Sequence, residues 1–141
     1  SRLLLNRVYE ILGNKVKNKK ICFLGVTFKA NTDDMRDSSS LTMIPELSKK
    51  GAVIKYFDPT GYKNEFKKFK NVSYESSIEK CVEKSKLIII HTEWNDFKSL
   101  NFKKLLKGNN TFIYDMRNLY SSQKMKKQGL KYFSVGRSNQ I

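Results

Sequence analysis

Residues 21–40 read ICFLGVTFKANTDDMRDSSS, and the fold follows from how that stretch is read. The first half is a continuous apolar run without polar alternation, as expected of a strand covered on both faces. Behind the last apolar residue come a Phe-Lys pair, two adjacent aspartates, an arginine and three serines. That order is the one expected of a buried strand delivering a polar binding loop to the rim of a sheet.

Upstream, Leu3, Leu4, Val8, Ile11 and Leu12 recur at helical spacing, which predicts an amphipathic helix over residues 2–16, stopped by Gly13 and Asn14. Such a helix suits either the start of a domain or the end of a longer helix leading in. Downstream, Leu41, Ile44 and Leu47 predict a helix over 38–50, with Ser38 or Ser39 as N-cap, Gly51 just past its end, and Pro45 anomalous inside it. Strands are expected at 20–27, 52–57, 72–74, 87–91, 111–116 and 132–135. Between them, helical patterns fall at 62–70, 76–84, 102–106 and 121–128.

Strands and helices in this rhythm predict one doubly wound α/β domain: a parallel sheet, right-handed crossovers, and helices on both faces. Ligands in such sheets bind beyond the carboxyl ends of the strands, where strand order reverses. The polar loops after residues 20–27, 87–91 and 111–116 are therefore the candidate site.

Composition bounds the function. The 141 residues are 39% hydrophobic and 29% charged, which is globular. No apolar run reaches the roughly 20 residues of a membrane span and no signal-peptide pattern opens the chain, so a soluble, cytoplasmic protein is expected. Cys22 and Cys81 form no CxxC and the chain has one histidine. A disulfide framework or zinc site is not expected, and two buried, reduced thiols are. Lys and Arg outnumber Asp and Glu by 28 to 13, a formal charge of +15. That excess admits nucleic acid or phosphate-bearing ligands, but it is nearly all scattered lysine, which also describes ordinary solvated faces.

The loop after the first strand lacks the glycine-rich dinucleotide fingerprint, since Gly25 stands alone. Lys29 and the helix start near Ser38 could still meet a phosphate. Arg117 can fork two hydrogen bonds onto one, or pair with Asp115 or a neighbouring loop. Phe28 and Trp94 offer aromatic faces for a base, or lids on the core. Asp33, Asp34 and Arg36 form an acid-base set or, more simply, turn-capping chemistry. His91 reads as a satisfied histidine at a strand end, with no nucleophile evident beside it. The residues alone describe a nucleotide- or phosphate-binding domain without a complete catalytic set.

The segment GVTFKANTDDMRDSSS resembles the opening of the C-terminal domain of UDP-glucose 6-dehydrogenases, in the UDP-glucose/GDP-mannose dehydrogenase family, where the pattern is approximately G-L-x-F-K-x-x-T-D-D-x-R-x-S-P-S. The likeness continues in order through YFDP at 56–59, LIIIHTEWNDF at 87–97, YDMRN at 114–118 and YFSVGR at 132–137. It implies a division of labour: an N-terminal Rossmann domain holds NAD, a central helix joins the halves, and a Rossmann-like C-terminal domain binds UDP. The sugar C6 alcohol is oxidised to a carboxylate in two NAD-dependent steps, through a cysteine that precedes the region matched here.

On that resemblance, residues 1–17 are the end of the central helix and 18–141 the UDP-binding domain. Phe28 and Lys29 meet UDP, Arg117 reaches the sugar nucleotide, and Arg36 approaches NAD held mainly by the other domain. Neither Cys22 nor Cys81 falls at the catalytic cysteine's place, so this piece alone is expected to be inactive. The partners implied are UDP-glucose or UDP-glucuronate, the N-terminal domain, and a second copy of the full-length protein, with no membrane or metal. A UDP-N-acetylmannosamine or GDP-mannose dehydrogenase, or a basic nucleic-acid-binding module, are the alternatives. Three departures stand out: Ser39 and Ala30 where the family has proline, and Met116 where it has glycine.

Overall fold

A computed structural model describes residues 2–135. Six strands form one parallel sheet in the order β3-β2-β1-β4-β5-β6, with β1 at Lys20–Leu24, β2 at Val53–Phe57, β3 at Val72–Tyr74, β4 at Leu87–Ile90, β5 at Phe112–Asp115 and β6 at Lys131–Ser134. The order runs one way from β1 to β3 and the other way from β4 to β6, so it reverses between β1 and β4.

Alternate residues of the central strands β1 and β4 enter two separate cores, which is why these two are almost wholly apolar. Ile21 and Phe23 of β1 pack with Ile54, Tyr56, Leu87, Ile89 and Tyr114 beneath α1 (Arg2–Ile11) and α2 (Ser40–Lys49). Cys22 and Leu24 pack on the other face with Ile88, Ile90 and Ile113 beneath α3 (Ile78–Val82), α4 (Asn95–Lys98), α5 (Phe102–Leu106) and α6 (Ser122–Lys127). All four residues of β4 are fully buried, and each such side chain contributes about 1.5–3 kcal/mol over an exposed one. α1 joins the first core through Leu5, Val8 and Leu12.

Several expectations need correction. Residues 62–70 are not a basic helix: they form only a 3-10 turn, Asn64–Phe66, around buried Phe66. Lysines supply that stretch with charge but leave it too few apolar anchors to stabilise a longer helix. The opening helix ends at Ile11 rather than residue 16, and β1 stops at Leu24 because Gly25 turns the chain at φ +79°. The predicted loop 91–97 contains α4, a single turn fastened by buried Phe97. Ser39 has a helical backbone and its side chain caps no N–H of α2. Ser77, by contrast, caps α3 as expected, accepting from the Lys80 N–H. Gly136 and Arg137 of the last motif lie outside the described residues. Among those described, no helix is long and apolar enough to cross a membrane, and no cluster of three His, Cys, Asp or Glu could hold a metal.

Candidate functional site

Strand order reverses between β1 and β4, and beyond their carboxyl ends the loops after β1, β4 and β5 are bonded to one another. Gly25 makes the close approach possible. A Cβ there would lie 2.6 Å from Thr92 Cβ and 2.9 Å from its Oγ1, and the positive φ already disfavours any side chain. Next to it, Val26 is held on both sides. Its N–H donates to Asp58 Oδ2 at 2.8 Å, and its carbonyl accepts from the hydroxyls of Ser38 and Ser40, each at 2.6 Å. Two of the three serines thus serve to clamp the start of the binding loop onto α2.

The loop then emerges to solvent. Phe28 is 43% exposed, so the core-lid alternative is excluded, and Lys29 beside it is exposed too. The Phe28 N–H donates to the Asp34 carbonyl at 3.0 Å, folding the loop back on itself. Asn31 and Asp37 take the left-handed conformations this requires. Asp34 accepts from the Arg36 backbone N–H and forms a two-pronged ion pair with its guanidinium, at 3.0 Å per bond. The Arg36 hydrogen bonds, with lesser help from Lys29, hold the Asp34 carboxyl below the usual carboxylate range. Capping therefore describes Asp34, and Arg36 stands on the surface with its side chain 88% exposed.

From the β4 side comes a chain of polar contacts that spacing alone could not reveal. The Thr92 hydroxyl donates to the Thr27 carbonyl at 3.0 Å, so it must accept from His91 Nδ1, also 3.0 Å away. His91 is thereby fixed with its proton on Nδ1, and its Nε2 accepts from the Ser39 hydroxyl at 2.8 Å. A serine does stand beside the histidine, contrary to the sequence expectation. It arrives from the start of α2, where proline would have left no hydroxyl. Burial, then the nearby Arg117 charge, push the His91 pKa down to about 3. An imidazole so reluctant to take a proton is a poor general base, so the pair is structural.

Arg117 completes the rim. Asp115, fully buried, accepts from the Arg117 N–H at 3.0 Å, the Tyr120 N–H at 3.0 Å and the Tyr132 hydroxyl at 2.6 Å, which shapes the loop after β5. The guanidinium does not pair with Asp115. Its Nε donates to the His91 carbonyl and its Nη2 to the Phe28 carbonyl, both at 3.0 Å, while Nη1 lies 4.0 Å from Glu93. One cation therefore ties the loops after β1, β4 and β5 together and keeps N–H groups toward solvent, its side chain 34% exposed. Met116 needs no glycine-like backbone: the left-handed residue here is Asn118, at φ +53°.

Trp94 is 7% exposed and belongs to the core under α4, as its structural alternative held. Its buried indole N–H has no partner among the described residues. Phe28, Lys29 and Arg117 thus meet at one rim, whereas Trp94 is withdrawn beneath it. The missed members Thr27 and Thr92 carry no sequence signal beyond their place after strands, and Ser39, singled out only as a cap and a departure from proline, serves His91 instead. Two concavities, about 580 Å³ between α3 and α5 and about 640 Å³ near Tyr9 and Lys50, contain none of these rim residues.

Comparison with known proteins is specific. Residues 22–122 match the model of the UDP binding domain of the UDP-glucose/GDP-mannose dehydrogenase family. Over 137 residues the chain is 36% identical to a UDP-glucose 6-dehydrogenase of Rickettsia bellii, covering 95% of this chain and 32% of that protein. It is 34% identical to a UDP-glucose 6-dehydrogenase of Rhizobium meliloti, covering 96% of this chain and 31% of the other. The chain thus spans about a third of the length of these relatives. Among solved structures, an NDP-N-acetyl-D-galactosaminuronic acid dehydrogenase of Methanosarcina mazei superposes with a TM-score of 0.78 at 25% identity, over 98% of this chain and 29% of that one. A UDP-D-ManNAc dehydrogenase of Pyrococcus horikoshii does so with a TM-score of 0.74 at 26% identity, over 98% of this chain and 30% of that one.

Proposed function

The chain belongs to the UDP-glucose/GDP-mannose dehydrogenase family, and from that premise we propose that it is the UDP-sugar-binding part of a UDP-glucose 6-dehydrogenase. The observation that carries this reading is the meeting of exposed Phe28, Lys29 and Arg117 at the point where strand order reverses. Phe28 offers a ring face for the uracil, and Lys29 a compact charge for the diphosphate. Arg117, whose side chain is 34% exposed, forks onto a phosphate oxygen with the N–H groups that its carbonyl bonds leave over. Its bonds to the Phe28 and His91 carbonyls set the angle of that fork before ligand arrives.

In this reading the full-length enzyme converts UDP-glucose to UDP-glucuronate with NAD as the oxidant. The β1 turn of this chain carries one glycine, Gly25, and not the glycine-rich dinucleotide fingerprint. In this reading NAD belongs to another domain, which the exposed Arg36 would meet, and α1 is the end of the helix that connects the two. Cys22 and Cys81 are sealed in the core and supply no thiol to the sugar. What this chain does is hold and orient the nucleotide so that the sugar projects across the interdomain cleft.

Titration calorimetry tests the site. Arg117→Ala is expected to weaken UDP-glucose binding about tenfold or more, the worth of a charged hydrogen bond. Lys104→Ala, at an exposed lysine of α5, should change it less than about twofold. Equal losses would show diffuse attraction rather than a site. UDP-N-acetylmannosamine is the second ligand to compare, since the Pyrococcus neighbour is named for it. Turnover of the full-length protein on each sugar nucleotide decides between them.

A further inference from the structure

We propose that Cys22 and Cys81 form a latent disulfide site, closed by a peroxide oxidant into a covalent strut between β1 and α3. This inference is independent of the ligand at the rim.

The two thiols come from distant parts of the chain, 59 positions apart, yet their Sγ atoms lie 2.7 Å from each other. The fold thus sets the two sulfurs against each other, with either thiol placed to donate to the other. Both side chains are fully buried in the core beneath α3, and the chain has no other cysteine with which either could pair. The Cys81 sulfur also stands 3.7 Å from the Phe23 carbonyl, within reach of a weak S–H bond. Geometry thus supplies the pairing, and burial supplies the barrier.

Burial first, and the contact with Cys81 second, push the Cys22 thiol well above its ordinary range. Closed, the buried Cys22 thiol keeps its proton and is inert. Oxidation waits for α3 to lift, and α3 is a helix of only five residues. Once exposed, one thiolate attacks hydrogen peroxide, breaking the O–O bond, taking one oxygen as a sulfenic acid and releasing hydroxide. The second thiolate attacks that sulfur and expels the remaining oxygen as hydroxide. Protonated, the two hydroxides are two waters, and two sulfurs have lost two electrons to the peroxide.

The bond would close a loop containing the binding segment 25–39, α2, β2 and β3, and so restrict the unfolded chain strongly. A strut on β1 would also hold the strand from which Phe28 and Lys29 hang.

The test is exposure of the wild-type protein to hydrogen peroxide, followed by alkylation in denaturant and peptide mapping without reductant. The expected result is a Cys22–Cys81 linked peptide, with a urea midpoint raised by about 1 M or more and restored by dithiothreitol. Cys22→Ala and Cys81→Ala should each abolish the linked peptide and the shift. If either variant fails to fold, the wild-type map decides alone. Full alkylation of both thiols after prolonged exposure, conversion to sulfinic or sulfonic acids, or cross-linking between chains would overturn the proposal.

Discussion

His91 is held neutral by a hydroxyl at each ring nitrogen, inside a core that resists its charge. Its folded pKa of about 3 lies below the ordinary value near 6.5, so the unfolded chain binds a proton that the folded one refuses. The associated stability is complete above pH 6.5 and is lost as pH falls toward 3, with a limiting slope of about 1.4 kcal/mol per pH unit. Urea unfolding of the wild type between pH 6.5 and 5 should show that fall, and His91→Gln should flatten it. An unchanged slope would mean that the ring takes up its proton in the folded state. Arg117 poses the opposite case, a charge kept at the surface because two backbone carbonyls hold it there. Arg117→Lys retains the charge but loses the fork, so it should recover only part of the affinity that Arg117→Ala loses in calorimetry.

At the scale of elements, Gly25 decides how closely the turn after β1 can approach the loop after β4. Gly25→Ala must relieve a 2.6 Å clash with Thr92 and adopt a positive φ, which together should cost about 2–4 kcal/mol in urea unfolding. A loss under about 1 kcal/mol would show that the two loops are not locked together. The central strands were the most legible because they are buried on both faces and so read as apolar runs, LIII of β4 most plainly. Elements resting on one or two anchors were not. Phe66 supports a turn where lysine-rich spacing suggested a helix, and Phe97 supports a helix where a loop was expected. Phe28, Lys29 and Arg117 of the proposed site stand out in the sequence because loop, charge and aromaticity coincide there. The bonds that arrange them do not: Arg117 reaches a carbonyl 89 positions away and Ser39 reaches a ring 52 positions away. Trp94 was ambiguous because an aromatic after a strand serves equally as lid or platform, and tertiary packing alone chose the lid.

Across the whole molecule, the proposed site follows from topology and not from net charge. The +15 excess spreads over exposed lysines on many elements, while the rim depends on one arginine and one lysine placed by strand order. Purely electrostatic binding of a labelled oligonucleotide should therefore collapse by about 150 mM salt, whereas UDP-sugar binding persists. The most direct test is a titration of the isotopically labelled domain with UDP-glucose, followed by backbone amide resonances. Shifts should concentrate at Gly25 to Lys29, His91 to Trp94 and Met116 to Asn118. Shifts confined to the concavity between α3 and α5, spread evenly over the lysines, or absent at millimolar ligand in a folded sample would contradict a UDP site at the reversal of strand order.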